Sequence, residues 1–240
     1  IPEGSTLLLL GDLLNLLDYT TMTGILTEVF SIEDVKTVAD LRAQGRVKEA
    51  RAMMHARSAG REEEIRMEIG RRVLEQYDAV FQALPDPTYL ILGNVDNPAI
   101  AANFIEATPA VRHVDGEVIT IDGERFGFVG GALPSPLNVP GEISEDEMAR
   151  KVSSLGEVDV LCSHIPPAIP ELCYDSLAGH AERGSEDILR YIEDVQPRRA
   201  YFGHVHQPMV STIYVGNTLC VNVGYFRATK IPFPHSIDGR

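Results

Sequence analysis

An α/β fold is what this sequence predicts, and three observations carry that reading. Short apolar runs that read as buried strands (Leu7 to Leu10, Tyr89 to Leu92, Val158 to Cys162 and Ala200 to Phe202) alternate with stretches of helical periodicity. Each run leads at once into a short polar motif: Gly11-Asp12, Gly93-Asn94-Val95-Asp96, Ser163-His164-Ile165-Pro166-Pro167 and Gly203-His204-Val205-His206. Two further segments are patterned as hairpins, Val118 to Val129 around Asp122-Gly123 and Val210 to Val223 around Gly216-Asn217. The hairpins add antiparallel strands to the parallel ones, so two packed mixed sheets in one domain of residues 1–240 are expected.

The elements follow in chain order. After Asp12 a long segment, about residues 19–85, has helical periodicity. In it Ser31 with Asp34 resembles a capping box ahead of Val35, Val38 and Ala39. The clearest helix follows Glu62, Glu63 and Glu64, acids suited to a helix N-terminus. Its apolar face is Ile65, Ile69, Val73, Tyr77, Val80, Phe81 and Leu84, and Pro85 ends it. This segment reads as a helical layer over a sheet face, or as an insertion that walls the site or forms a homo-oligomer surface. Beyond the first hairpin, Gly130-Gly131 leads into a Pro-rich loop, Pro134 to Pro140. Ser144 and Glu147 then open a helix that closes near Gly156. Ser185 opens another, with Ile188, Leu189, Ile192 and Val195 inward and Pro197 beyond its end.

The totals narrow the function. A chain of 240 residues with 23% charged and 44% hydrophobic residues has ordinary globular composition. Its formal net charge of -14 disfavours a nucleic-acid polymer as partner. A small phosphorylated substrate stays compatible, because bound cations reverse the local field. Cys162, Cys173 and Cys220 have no ligand-like spacing, and so sparse a set fits a reducing cytoplasm. The run Leu7 to Leu10 is far too short to span a membrane, and no basic segment precedes it, so neither a membrane anchor nor a signal peptide is expected. The sequence opens on Ile1 and enters strand-like residues almost at once, which predicts that an N-terminal piece is missing.

Taken singly, each motif has an ordinary reading. His204 and His206 could be exposed loop residues, His164 a structural histidine, and Asp12, Asn94 and Asp96 turn formers. Together they place a carboxylate, an amide and three imidazoles at the carboxyl ends of strands. That edge of an α/β sheet is where ligands bind, and the donor set suits first-row transition metals. His180 and Arg183, in a Gly-flanked polar loop, are candidates for contact with a phosphate, the alternative being a solvated loop. His55 and His235 read as surface, Cys162 as a small core residue, and Arg198-Arg199 as a solvated turn.

The four motifs in this order resemble the calcineurin-like metallophosphoesterase family. Its pattern reads D-x-H, then G-D, G-N-H-D or a variant, S/G-H-x-P-P and G-H-x-H, and the likeness covers nearly the whole chain. The resemblance implies a four-layer α/β/β/α sandwich and a centre of two divalent or trivalent transition-metal ions (Mn, Fe or Zn). Carried over by residue, it implies that Asp12 bridges both metals, that Asn94, His164 and His204 complete one, and that His206 binds the other. It implies a phosphoesterase, chiefly a phosphodiesterase, that hydrolyses a small phosphorylated substrate with a metal-bridging hydroxide. Asn94 and Asp96 would then be the catalytic-motif residues, Asp96 orienting Asn94 or a ligand imidazole. Two departures stand out: no Asp-x-His occurs in this sequence, and Val95 replaces the usual His. The alternative is a non-catalytic metal-binding or protein-interaction scaffold of the same fold. Retention of Asn94, His164, His204 and His206 favours catalysis.

Overall fold

The computed structural model describes residues 4–18, 20–136, 138–176 and 178–236. Ile1, and Leu137 of the Pro-rich loop, lie outside the described residues. Strand β1 (Leu7–Leu10) is followed by helices α1 (Ile25–Val29), α2 (Ile32–Ala43), α3 (Val47–Ser58) and α4 (Glu62–Gln82), and the chain then returns in β2 (Thr88–Ile91). Ser31 caps α2 as its spacing predicts: its Oγ accepts from the Asp34 N–H and donates to the Asp34 carboxylate. Next come α5 (Pro98–Ala107) and β3 (Val111–His113). The Asn97 side chain accepts the N–H groups of Ala99 and Ile100, and Pro98 supplies a preset φ at the start of α5.

The predicted hairpin is β4 (Val118–Ile121) and β5 (Glu124–Val129), turning on Asp122 and Gly123 at φ 49° and 89°. Helix α6 (Glu145–Ser154), capped by Ser144, leads to β6 (Val160–Ser163). A short excursion follows: α7 (Pro170–Cys173), β7 (Tyr174–Asp175) and β8 (His180–Ala181). Helix α8 (Glu186–Val195), capped by Ser185, returns to β9 (Arg199–Phe202). Strands β10 (Thr212–Val215) and β11 (Thr218–Asn222) form the second hairpin before α9 (Phe226–Thr229).

Two sheets result. Strands β1, β2 and β3 form a parallel sheet in that order. The other runs β10-β11-β9-β6-β5-β4, with parallel strands inside and the antiparallel β10 and β4 on its two edges. The expectation of two mixed sheets therefore needs correcting for the described residues. Both hairpins follow β3 in the chain and join the six-stranded sheet, so the smaller one stays parallel.

Alternation along the strands divides the core into three clusters. Leu8, Leu10, Tyr89 and Ile91 meet Phe126, Phe128, Cys162, Tyr201 and Val221 between the sheets. Leu9, Leu90 and Leu92 point the other way, onto Val73, Tyr77 and Phe81 of α4 and Ala101 of α5. Leu161, Ala200 and Phe202 pack on Met148 and Val152 of α6 and Ile188 and Ile192 of α8. Burying one such side chain contributes roughly 1.5–3 kcal/mol. The exposed ion pairs along α4 (Arg61–Glu64, Arg66–Glu63, Arg71–Glu68) contribute only about 0–1 kcal/mol each, so packing decides the fold. Among the described residues no helix is long and apolar enough to cross a membrane.

Two surface readings are corrected here. His235 is tucked in: its Nε2 lies 2.8 Å from the Glu124 carboxylate and its Nδ1 2.9 Å from the Tyr201 hydroxyl, with Phe126 edge-on to the ring. Arg198 also pairs with Glu124 and is not merely solvated. The cause is Glu124, a carboxylate buried at the start of β5 that needs compensating partners.

Candidate metal centre

Parallel pairing brings the motifs together. Strands β1 and β2 run side by side, so Gly11-Asp12 and Gly93-Asn94 leave the smaller sheet at the same end. Strands β6 and β9 pair likewise and deliver His164 and His204 from the larger sheet. The two glycines let these loops touch. A Cβ on Gly93 would stand 2.2 Å from Asp12 Oδ1 and 2.5 Å from His164 Cε1; one on Gly11 would stand 2.6 Å from His164 Nδ1. Gly93→Ala should therefore displace both side chains and cost about 1–3 kcal/mol, read from urea unfolding midpoints, together with loss of Mn²⁺ uptake. Asp12 and His204 hold φ values of 56° and 65°, uncommon for residues with a Cβ.

Four donor atoms converge. His164 Nε2 is 3.2 Å from Asn94 Oδ1 and 3.5 Å from Asp12 Oδ1. His204 Nδ1 is 3.1 Å from the same Asn94 oxygen. The donor atoms of Asp12, His164 and His204 all lie within 4.8 Å of one another. The Val95 N–H donates to Asp12 Oδ1 at 3.3 Å, so Val95 meets the cluster through its backbone.

The tautomer of His164 follows from its other nitrogen. Nδ1 sits 2.7 Å from the Leu10 carbonyl, a group that can only accept, so Nδ1 carries the proton. Burial depresses the pKa of this ring, though the Asp12 charge opposes it, and the neutral form leaves Nε2 with a bare lone pair. That lone pair faces two side-chain oxygens. His204 is shifted the opposite way: burial lowers its pKa, but the Glu182 carboxylate, by hydrogen bonding and charge, outweighs that and raises it. Glu182 Oε2 stands 3.6 Å from His204 Nε2, and its Oε1 is 2.9 Å from His180 Nε2. Burial works to raise the Glu182 pKa, yet its two imidazole partners hold it well below the usual carboxylate range.

His206 lies outside this tight cluster. Its ring stacks on Tyr225, centroids 4.1 Å apart and planes 3° from parallel, and its backbone N–H donates to Asp175 Oδ2. The Tyr225 hydroxyl donates in turn to the buried Asp18. Burial lowers the pKa of His206, leaving it a neutral donor.

Asp96 departs from expectation. It is fully buried and bonds neither Asn94 nor an imidazole. Its carboxylate instead accepts the backbone N–H groups of Gly93 (2.8 Å), Asp12 (2.9 Å) and Leu13 (3.0 Å), tying the first two motif loops to each other. With no exposed atom it cannot touch a substrate, so its role is to brace the loops. Burial, and then the neighbouring Asp12 charge, push its pKa up against these three donors. Below it the buried Tyr77 of α4 donates to Asp96 Oδ1 at 3.4 Å and accepts the Asn97 N–H at 2.8 Å. Tyr77→Phe should strip Asn97 of that partner and lower the unfolding free energy by about 1–2 kcal/mol, read from urea denaturation.

The two proposed phosphate contacts are already engaged. His180 is held by Glu182 and by the Ala178 carbonyl. Arg183 pairs with Glu145 at the start of α6 and donates to the Pro134 carbonyl. Sequence reasoning missed Glu182, Tyr225, Asp18 and Tyr77, none of which belongs to a motif. Only the alternation of Glu182 with His180 hinted at a shared side.

No family model matches the chain. A stretch of 116 residues, 46% of the chain, is 31% identical to an uncharacterized protein of Methanocaldococcus jannaschii. That stretch spans about half of the relative's length, 52%. A solved crystal structure superposes with a TM-score of 0.53 over 75% of each chain at 19% identity, a likeness of fold alone. The chain is a mixed α/β protein.

Proposed function

We propose that this protein is a metal-dependent phosphoesterase, chiefly a phosphodiesterase, acting on a small phosphorylated substrate. One observation carries the reading: the bare Nε2 of a neutral, buried His164 aimed at the side-chain oxygens of Asn94 and Asp12. Three lone-pair donors facing one another repel unless a cation stands among them. Their spacing agrees, since donors about 2.0–2.1 Å from one ion lie roughly 3–3.4 Å apart. The order of the core clusters, helices on sheet on sheet on helices, supports the four-layer sandwich of the calcineurin-like family.

On this reading Asp12, Asn94, His164 and His204 would hold one ion, and Asp12 and His206 would help to hold a second. Mn, Fe and Zn all suit the set. Such ions supply Lewis-acid polarisation of the phosphoryl oxygens and an acidified water. The chain's own part is to orient the donors. Leu10 keeps the His164 proton on Nδ1, Glu182 attracts the His204 proton to Nε2, and Tyr225 fixes the plane of His206. Val95 offers no acid to a leaving group, help worth roughly 10²–10⁴-fold, so substrates with good leaving groups should dominate. The test is hydrolysis of bis(p-nitrophenyl) phosphate with Mn²⁺ by the protein and by His204→Ala. Turnover that needs the metal and collapses in the variant is expected. Turnover absent from both, or indifferent to metal, would leave the non-catalytic scaffold of the same fold.

A further inference from the structure

A hollow of about 240 Å³ lies among the helices that follow β1 and shares no lining residue with the metal cluster. Helix α2 contributes Val35, Val38, Ala39 and Arg42, spaced so that they fall on one face; α1 adds Leu26, α3 adds Met54, and the loop before α1 adds Leu17. Every lining residue but one is apolar.

The exception is Arg42. Its Nε is buried and has no hydrogen-bond partner. Nearby arginines are satisfied: Arg46 by Glu49, Arg57 by Asp34, Arg61 by Glu64, Arg66 by Glu63, Arg72 by Glu28, and Arg51 by the Pro136 carbonyl. Among the described residues no carboxylate pairs with Arg42, in a chain with 35 acidic residues against 21 basic ones. A buried guanidinium N–H without a partner is costly, and the apolar wall beside it offers none. Arg42 itself is half-buried, so what the hollow lacks is an acceptor for this one N–H, and an anion that arrives with an apolar body would supply it.

We propose that this hollow binds a short-chain aliphatic monocarboxylate, its chain among Leu17, Leu26, Val35, Val38 and Met54 and its carboxylate on Arg42. A planar guanidinium fork matches a carboxylate. The half-buried Arg42 brings one positive charge to this lining, which matches one negative charge, not two. Size sets the length: a 150 Å³ apolar cavity accepts benzene, so 240 Å³ takes roughly ten non-hydrogen atoms, the count of octanoate. The proposal is independent of the metal site and of phosphoester chemistry.

The probe is sodium octanoate, followed through methionine methyl resonances with Met54 assigned by Met54→Leu. The Met54 methyl should shift saturably with a Kd on the order of 0.1–1 mM. Octanol against the wild-type protein, and octanoate against Arg42→Gln, should each bind on the order of 10-fold more weakly. Val38→Phe, which fills the hollow, should abolish the shift. An unmoved Met54 resonance up to the solubility limit of octanoate overturns the site. Equal binding of octanol and octanoate by the wild-type protein overturns the role of Arg42 without recourse to any variant.

Discussion

Replacing Asp12 by Asn should lower Mn²⁺-supported phosphodiester hydrolysis on the order of 10²-fold or more, although the two side chains have the same shape. Asp12 is the one carboxylate among the clustered donors, which otherwise are imidazoles and an amide. The substitution removes the negative charge and leaves one acceptor oxygen, whereas on the proposed two-ion reading Asp12 would need both. The remaining oxygen can still accept the Val95 N–H that Asp12 now takes. Stability should thus change by less than about 1 kcal/mol, so a parallel urea titration separates a chemical loss from a folding one. Equal turnover by Asp12→Asn and the parent would remove Asp12 from the mechanism.

The second large effect belongs to stability. Asp96→Ala should cost about 3–5 kcal/mol, because three backbone N–H groups, two buried and one part-buried, lose a shared acceptor at once. The burden falls on the loops that carry Asp12 and Asn94, so Mn²⁺ affinity should drop even in conditions where the variant is folded. Asp96→Asn keeps one acceptor oxygen and should fall between the two. Urea unfolding followed by circular dichroism reads the order directly; an Asp96→Ala midpoint equal to the parent's would show that the three donors find other partners.

Much of this site was legible from residues near each other in sequence. The apolar runs before Gly11, Gly93, Ser163 and Gly203 are local features, and parallel pairing then brings their ends together without further information. The caps at Ser31, Ser144 and Ser185 and the turn at Asp122-Gly123 were readable for the same reason. The bracing was not legible. Asp96 meets Leu13 across 83 positions, and Tyr225 meets Asp18 across 207. No period or spacing rule reaches that far. Asp96 also shows why a motif residue need not do what its place suggests, since its neighbour Asn94 faces the donors while Asp96 turns under the loops. His235 misled for a related reason: its partner Glu124 lies 111 positions away, and no local pattern shows that this carboxylate is buried.

The central claim is that Asp12, Asn94, His164 and His204 surround a cation. Metal content by elemental analysis, after stripping, incubation with Mn²⁺ and desalting, tests it most directly when the parent is set beside His164→Ala. At least one tightly held ion per parent chain, and loss of that ion in the variant, is the predicted result. A parent that retains no metal, or a variant that retains as much as the parent, would contradict it.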